Sequence, residues 1–124
     1  MTTKEVMNLD YRKEETKEII QKVLRQIKPL SKYSDEDEVP FNALEKIITI
    51  MCKKYCVRIQ ELIPDILSND RNLIWRAKLI NESNLEVIDI IYGISIYEVF
   101  AKTTIRLYTE VKKKGIKKET EEEQ

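Results

Sequence analysis

Hydrophobic and polar positions recur with a helical period along most of the chain. From Asp10 to Lys28 apolar residues return at three- and four-residue intervals while charged residues fill the other face. This pattern predicts an amphipathic helix that ends before Pro29, because the residue that precedes a proline is pushed out of the helical region. A second apolar stripe follows Asn42, which forms a capping-box-like start with Glu45. The first half of the chain therefore predicts two amphipathic helices.

The middle of the chain is also predicted to be helical, with two interruptions. The pattern breaks near residues 56–58, and a short helix is expected from there to Leu67, kinked or restarted at Pro64. The turn residues 68–70 then precede a further helix from about Arg71 to Ile80.

The stretch from Ser83 to Gly115 predicts two helices joined by a tight turn. Ser83 and Glu86 have the spacing of a capping box, and Gly93 is suited to end the helix that they begin. Ser95 and the glutamate three positions later start another box immediately afterwards. The fold class predicted is all-α: a compact bundle of five or six helices with a helix-turn-helix corner at Gly93.

The predicted domain organisation is simple. Residues 1–9 are expected to be a flexible lead-in, residues 10–115 a single helical domain, and residues 116–124 a disordered charged tail, because the tail has no apolar periodicity. The acidic stretch 35–38 is expected to be a solvated loop.

Composition restricts the functional classes. The chain has 124 residues, of which 42% are hydrophobic and 35% charged, with only two glycines, as suits a helical globule. Lys plus Arg equals Asp plus Glu at 22 each, so nucleic-acid binding would have to come from local charge. No apolar run is long enough for a bilayer, and a cytoplasmic protein with no membrane partner is expected. The richness in Ile, Lys and Glu is typical of thermophiles and also of AT-rich genomes.

Catalytic and metal-binding chemistry has little support in the sequence. Histidine is absent, which removes the commonest general base and imidazole ligand. Cys52 and Cys56 share one helix face, but a zinc site would need ligands from a second chain. The four acids of residues 35–38 lack the glycine and the ligand alternation of a calcium loop. We therefore expect no enzymatic activity, no cofactor and no metal.

The predicted corner resembles a known DNA-binding module. Residues 85–107 are similar to the helix-turn-helix of sigma factors and of the C-terminal domain of bacterial replication initiators. In those families the turn reads glycine, aliphatic and serine, with an aliphatic residue four positions after the serine, here Gly93, Ile94, Ser95 and Val99. Asp89 departs from the resemblance, because the families have a small residue where the two helices touch.

The resemblance implies that the helix after Ser95 reads DNA. Its expected contacts are Tyr97, Lys102, Thr103, Arg106, Lys112 and Lys113. Residues 85–118 hold seven Lys or Arg and four acids, which gives a local charge of about +3 to support phosphate binding. The function expected is that of a small non-enzymatic protein that binds nucleic acid, namely double-stranded DNA, through the helix-turn-helix.

Two other interpretations of the same residues stay open. The basic side chains could be a solvated helix face whose positive end complements the helix dipole. The chain could instead be an all-helical protein-interaction subunit, either a homodimer or a small subunit of a larger nucleoprotein complex, that binds its partner through the first and last helices. Exposed neighbouring rings on the last helix would favour this protein partner.

Overall fold

The architecture is mixed α/β and not an all-α bundle. A computed structural model describes residues 3–7, 9, 14–64 and 75–111. Its helices are α1 Thr3–Met7, α2 Glu14–Gln26, α3 Phe41–Tyr55 and α4 Ile96–Arg106. Its strands are β1 Val57–Pro64, β2 Trp75–Asn81 and β3 Val87–Gly93. A 3-10 turn, Lys28–Leu30, follows α2, and a π-helical turn, Leu107–Val111, continues α4.

The three strands form one antiparallel sheet in the order β1-β2-β3. Leu79 in the central strand lies opposite Ile59 of β1 and Asp89 of β3, and Ala77 lies opposite Ile91. The β1–β2 register shifts after Gln60, where the next residue has a φ of 60°. Such a bulge bends an edge strand and interrupts its pairing surface.

The helices cover one face of this sheet. α4 packs on β3 and β2, α3 packs on β1 and beside α4, and α1 and α2 pack against α4 from the outside. The buried core runs between these layers and includes Ile20, Leu24, Leu44, Leu79, Ile105 and Leu107. None of the helices in the described part of the chain is long and apolar enough to cross a membrane.

The prediction of helices over residues 57–64, 75–81 and 87–93 was wrong, since all three segments are strands. A short apolar run fits a helical period and a buried strand almost equally well. Two features favour the strand. The segment Val87–Gly93 has four β-branched residues, which pack well on a pleated surface. The residues Trp75–Leu79 alternate strictly between apolar and basic side chains.

The predicted helix-turn-helix corner is replaced by a strand that leads directly into α4. The supposed capping box at Ser83 is part of the β2–β3 connection, where the side-chain oxygen of Asn81 accepts from the Ser83 amide and that of Asn84 accepts from the Glu86 amide. Leu85 takes the left-handed conformation, with a φ of 61°. Asn side chains that bond to the backbone two residues on are typical of turns.

The remaining predicted helices are present in the structure, although some of their ends differ from the prediction. α2 lies within the predicted span 10–28, and α3 follows the expected loop, although it begins at Phe41 with no side-chain cap. The predicted break occurs at Cys56, whose left-handed φ of 53° ends α3. The Ser95 hydroxyl accepts from the Glu98 amide at 3.1 Å, as the second capping box requires.

The structure describes part of the predicted lead-in and none of the predicted tail. Residues 3–7 of the predicted lead-in form α1, and Val6 is buried in the core. The predicted tail, residues 116–124, lies outside the described residues.

Candidate nucleic-acid interface

Lys102, predicted to contact DNA, lies inside the protein. Its side chain is buried, and the ammonium is 3.2 Å from Oε1 of Glu98, one helical turn earlier. It also donates to the backbone carbonyl of Tyr92 at 3.0 Å. Lys102 and Glu98 are only 4% and 1% exposed. A cation this deeply buried cannot reach a duplex while α4 stays in place.

Thr103 and Tyr97 are also engaged within the fold. Thr103 is fully buried, and its hydroxyl donates to the Val99 carbonyl at 2.7 Å. The Tyr97 hydroxyl donates to the Val39 carbonyl at 2.5 Å and accepts from the Gln21 amide at 2.9 Å. The same Gln21 side chain accepts from the Val39 amide, so these three residues join α2, the loop before α3 and α4. Tyr97 is therefore part of the helix packing.

Arg106 pairs with the carboxylate that departs from the helix-turn-helix pattern. Its Nε is 3.1 Å from Oδ2 of Asp89, and the other carboxylate oxygen accepts from the Ile90 amide at 2.8 Å. Together with the bond from Lys102 to the Tyr92 carbonyl, this pair ties α4 to the edge strand β3. Backbone groups that are occupied in this way are not available to pair with another strand.

The DNA contacts predicted for α4 thus have no support from its geometry. Both basic residues of this helix, Lys102 and Arg106, are engaged with β3. Lys112 and Lys113 lie outside the described residues, and their phosphate contacts stay a prediction.

The structure instead presents a different mixed basic and apolar surface, the sheet face opposite the helices. We call it the open face. Because side chains alternate between the two faces of a strand, the residues next to buried positions identify it. Its exposed and half-buried members include Arg58, Gln60 and Ile63 of β1, Arg76 and Lys78 of β2, and Ile90 and Tyr92 of β3. Ile80 of β2, opposite Arg58 in the register, belongs to the same face but is buried.

Positive charge is in excess on the open face. It carries three cations, and the acid that reaches it among the described residues is Glu61, 3.6 Å from the Lys78 ammonium. Neither Arg58 nor Arg76 has an ion pair or side-chain hydrogen bond to the part of the chain that the structure describes. Guanidinium groups without a partner in the described part of the chain are available to an anion from outside.

The apolar part of the open face lies on β3. Tyr92 is 46% exposed and Ile90 is 38% exposed. Arg76 lies directly opposite Tyr92 in the register, and Lys78 lies opposite Ile90. Directly opposed residues in an antiparallel pair have their Cβ atoms about 5 Å apart, so each apolar side chain has a cation beside it.

A separate groove runs between the 3-10 turn and α3. It has a volume of about 360 Å³ and is lined mainly by apolar side chains, with two lysines, namely Leu30, Lys32, Tyr33, Lys46, Ile47, Ile50, Met51 and Tyr108 among others. Ile50 is 54% exposed beside it. None of the described residues that line this groove is acidic. The apolar stripes of α2 and α4, through which the alternative interpretation would bind a protein partner, contribute buried residues to the core.

The acidic loop is closed by an internal partner. The Arg25 guanidinium donates to the carbonyls of Asp35 and Asp37 at 3.2 and 2.7 Å and lies 3.9 Å from the Asp35 carboxylate. No group of three or more His, Cys, Asp or Glu side chains among the described residues is arranged to hold a metal ion. The bonds to Arg25 hold the acidic loop against α2.

The two cysteines have different surroundings. Cys56 is exposed and Cys52 is half-buried. Burial, and to a lesser extent the charge of Glu82, raises the pKa of the Cys52 thiol to about 11. A raised thiol pKa means that the folded state favours the neutral form. Its contribution to stability is complete below the unfolded pKa, near 9, and is lost as pH rises through 11.

We expect alkylation of Cys52 to be slow at neutral pH and to accelerate steeply as pH approaches 11. Only the thiolate is nucleophilic, and burial suppresses it. Iodoacetamide labelling of the Cys56→Ser variant, followed by intact mass against pH, measures this rate. The Cys52→Ser variant is the matched control for the exposed thiol. Equal labelling rates of the two variants at neutral pH would show that Cys52 is not protected.

The open face is a feature that the sequence interpretation missed. The signal was the alternation in Trp75–Leu79, where Arg76 and Lys78 separate apolar residues. No protein-family model, curated protein or solved structure matches this chain. The function therefore has to be inferred from the geometry itself.

Proposed function

We propose that this chain is a small nucleic-acid-binding protein whose contact surface is the open face of its sheet. The observation that carries the proposal is the juxtaposition of Arg76 and Lys78 with the exposed side chains of Tyr92 and Ile90 on the adjacent strand. Cations provide the phosphate contacts that dominate nucleic-acid affinity. An exposed aromatic ring on a sheet provides a surface on which a base can stack.

The charge of the open face argues against a second copy of this chain as its partner. A two-fold dimer places the same patch on both sides of the interface. Arg58 and Arg76, which have no ion pair within the described residues, would then face the same arginines of the other copy, and like charges across an interface cost several kcal/mol. An anionic partner with apolar planar groups fits the same surface without this cost.

We expect the double variant Arg76→Glu/Lys78→Glu to lower nucleic-acid affinity by at least about tenfold, because it replaces two phosphate contacts by repulsion. Removing these contacts should also flatten the dependence of log K on log salt by about one unit per cation. Fluorescence anisotropy with random-sequence single strands and duplexes, at two salt concentrations, measures both effects.

The matched control is Lys53→Glu/Lys54→Glu. It changes the net charge by the same amount, but at exposed positions on α3, which packs on the other face of the sheet. Circular dichroism verifies that both double variants fold. A loss of affinity confined to the open-face variant supports the proposal. Equal losses in both variants, or no binding by the wild-type chain at low salt, would overturn it.

The groove beside Ile50 favours a second candidate function, that of a protein-interaction subunit. Lys32 and Lys46 line it and no acid does among the described residues, so an apolar segment with acidic flanks is the partner that it fits. Sedimentation over a wide concentration range tests the homodimeric form of this candidate. A strictly monomeric chain would remove that form.

A further inference from the structure

We infer that the nucleic acid on the open face is single-stranded, with its bases over β3 and its phosphates over β2. This inference rests on the proposed function, because it specifies the ligand of the same surface. Its basis is that two adjacent strands present different types of side chain, basic on one and apolar on the other. On the open face, β2 presents Arg76 and Lys78, whereas β3 presents Ile90 and Tyr92.

The side chains on β3 require bases whose flat faces are free. Tyr92 is nearly half exposed, and its hydroxyl makes no hydrogen bond to the residues that the structure describes. A duplex buries the faces of its bases in the stack and offers only base edges and phosphates to a protein. Unpaired bases can be splayed out and stacked on an aromatic ring. An apolar ridge formed by Tyr92 and Ile90 therefore favours a single strand.

The cations on β2 are placed to follow one phosphate chain. Arg76 and Lys78 are two residues apart on the same side of a strand, so their Cα atoms are separated by about 7 Å along β2. Each is opposite one of the apolar residues of β3, about 5 Å across the sheet. One polynucleotide chain lying along the strands would place its backbone over the cations and its bases over the ridge.

Beside Arg76 and Lys78, the charged side chain on β1 is a carboxylate, because Arg58 lies farther along the strand, opposite Ile80. The Glu61 carboxylate lies beyond Lys78, 3.6 Å from its ammonium, and is partly exposed. A second phosphate chain over β1, as in a duplex laid across the sheet, would meet this carboxylate. A single strand over β2 and β3 avoids it.

The test compares a single strand of deoxythymidine, a single strand of uridine and a duplex of the same length. We expect at least one of the single strands to bind about tenfold more tightly than the duplex. Tyr92→Ala should weaken single-strand binding by about tenfold, in the range found when a stacking ring is removed, while Tyr92→Phe keeps the affinity. Phe41→Ala, which removes a partly exposed ring at the start of α3, is the matched control.

The outcomes separate this inference from the proposed function. Tighter binding of the DNA strand, the RNA strand or both, with loss in Tyr92→Ala alone, supports the inference. Duplex binding that is as tight as single-strand binding, still abolished by Arg76→Glu/Lys78→Glu, overturns the inference and leaves the proposed function standing. If Tyr92→Ala binds the single strands as tightly as the wild type does, the inference is also overturned and the proposed function still stands. No binding to any of the three ligands overturns both.

Discussion

Replacement of Lys102 by methionine is expected to lower the free energy of unfolding by about 3 to 5 kcal/mol. Methionine has a similar volume, so packing is largely kept. The Glu98 carboxylate, however, stays buried and loses the ammonium that lies 3.2 Å from it. The Tyr92 carbonyl loses its donor as well. Breaking one side of a buried ion pair costs more than removing both sides, because an uncompensated charge remains.

Urea denaturation followed by circular dichroism measures this effect. The double variant Glu98→Gln/Lys102→Met should recover most of the lost stability, since a neutral amide can still accept from the Ile94 amide that Glu98 now caps. Lys46→Met, at an exposed position on α3, is the control and should change stability by less than about 0.5 kcal/mol.

The same experiment distinguishes the buried Lys102 of the structure from the exposed Lys102 that the sequence predicts. As a DNA contact, Lys102 would be exposed, and its replacement would weaken binding without affecting folding. If Lys102→Met is no more destabilising than Lys46→Met, the buried pair with Glu98 does not exist. The basic residues of α4 would then be available to nucleic acid.

The three longer helices, α2, α3 and α4, could be predicted because their signals are local. A long apolar stripe at three- and four-residue spacing identifies α2 and α3, and a serine with a glutamate three positions later locates the start of α4. These patterns need no knowledge of distant residues.

The strands could not be predicted with the same rules because their stability comes from non-local pairing. The segment from Val87 to Gly93 is compatible with a helix in isolation, and it becomes a strand through its register with β2. Its Asp89 illustrates the difference. In the helical interpretation this carboxylate is misplaced at a helix contact, whereas in the sheet it pairs with Arg106, seventeen residues later, and caps a backbone amide.

The candidate site was missed for a related reason. Basic residues on a presumed helix were assigned to DNA, although the charge of a residue does not tell whether it faces solvent or a buried acid. Lys102 and Arg106 point to partners within the fold, whereas Arg76 and Lys78 reach the open face. The alternation of β2 carries this information, but only once the segment is known to be a strand.

Substitutions at Gly93 are expected to destabilise the fold in order of side-chain size, by about 1 to 3 kcal/mol for alanine and by more for asparagine and valine. A Cβ atom at this position would lie 2.9 Å from Oε2 and 3.0 Å from Cβ of Glu98, and 3.0 Å from Cγ2 of Val99. Glu98 cannot easily move away, because its carboxylate is held by Lys102 and by the Ile94 amide. Gly93 is thus needed for space, where α4 begins against the end of β3.

A helix-turn-helix corner predicts a different order. There Gly93 would end a helix in the left-handed conformation, which asparagine tolerates better than alanine. In the structure Gly93 does not have a positive φ, so the conformational advantage of asparagine is absent and its larger side chain is a disadvantage. Urea denaturation of Gly93→Ala and Gly93→Asn therefore distinguishes the two folds by which of the two variants has the larger free energy of unfolding. Greater stability of the alanine variant supports the strand, and greater stability of the asparagine variant would restore the helical corner.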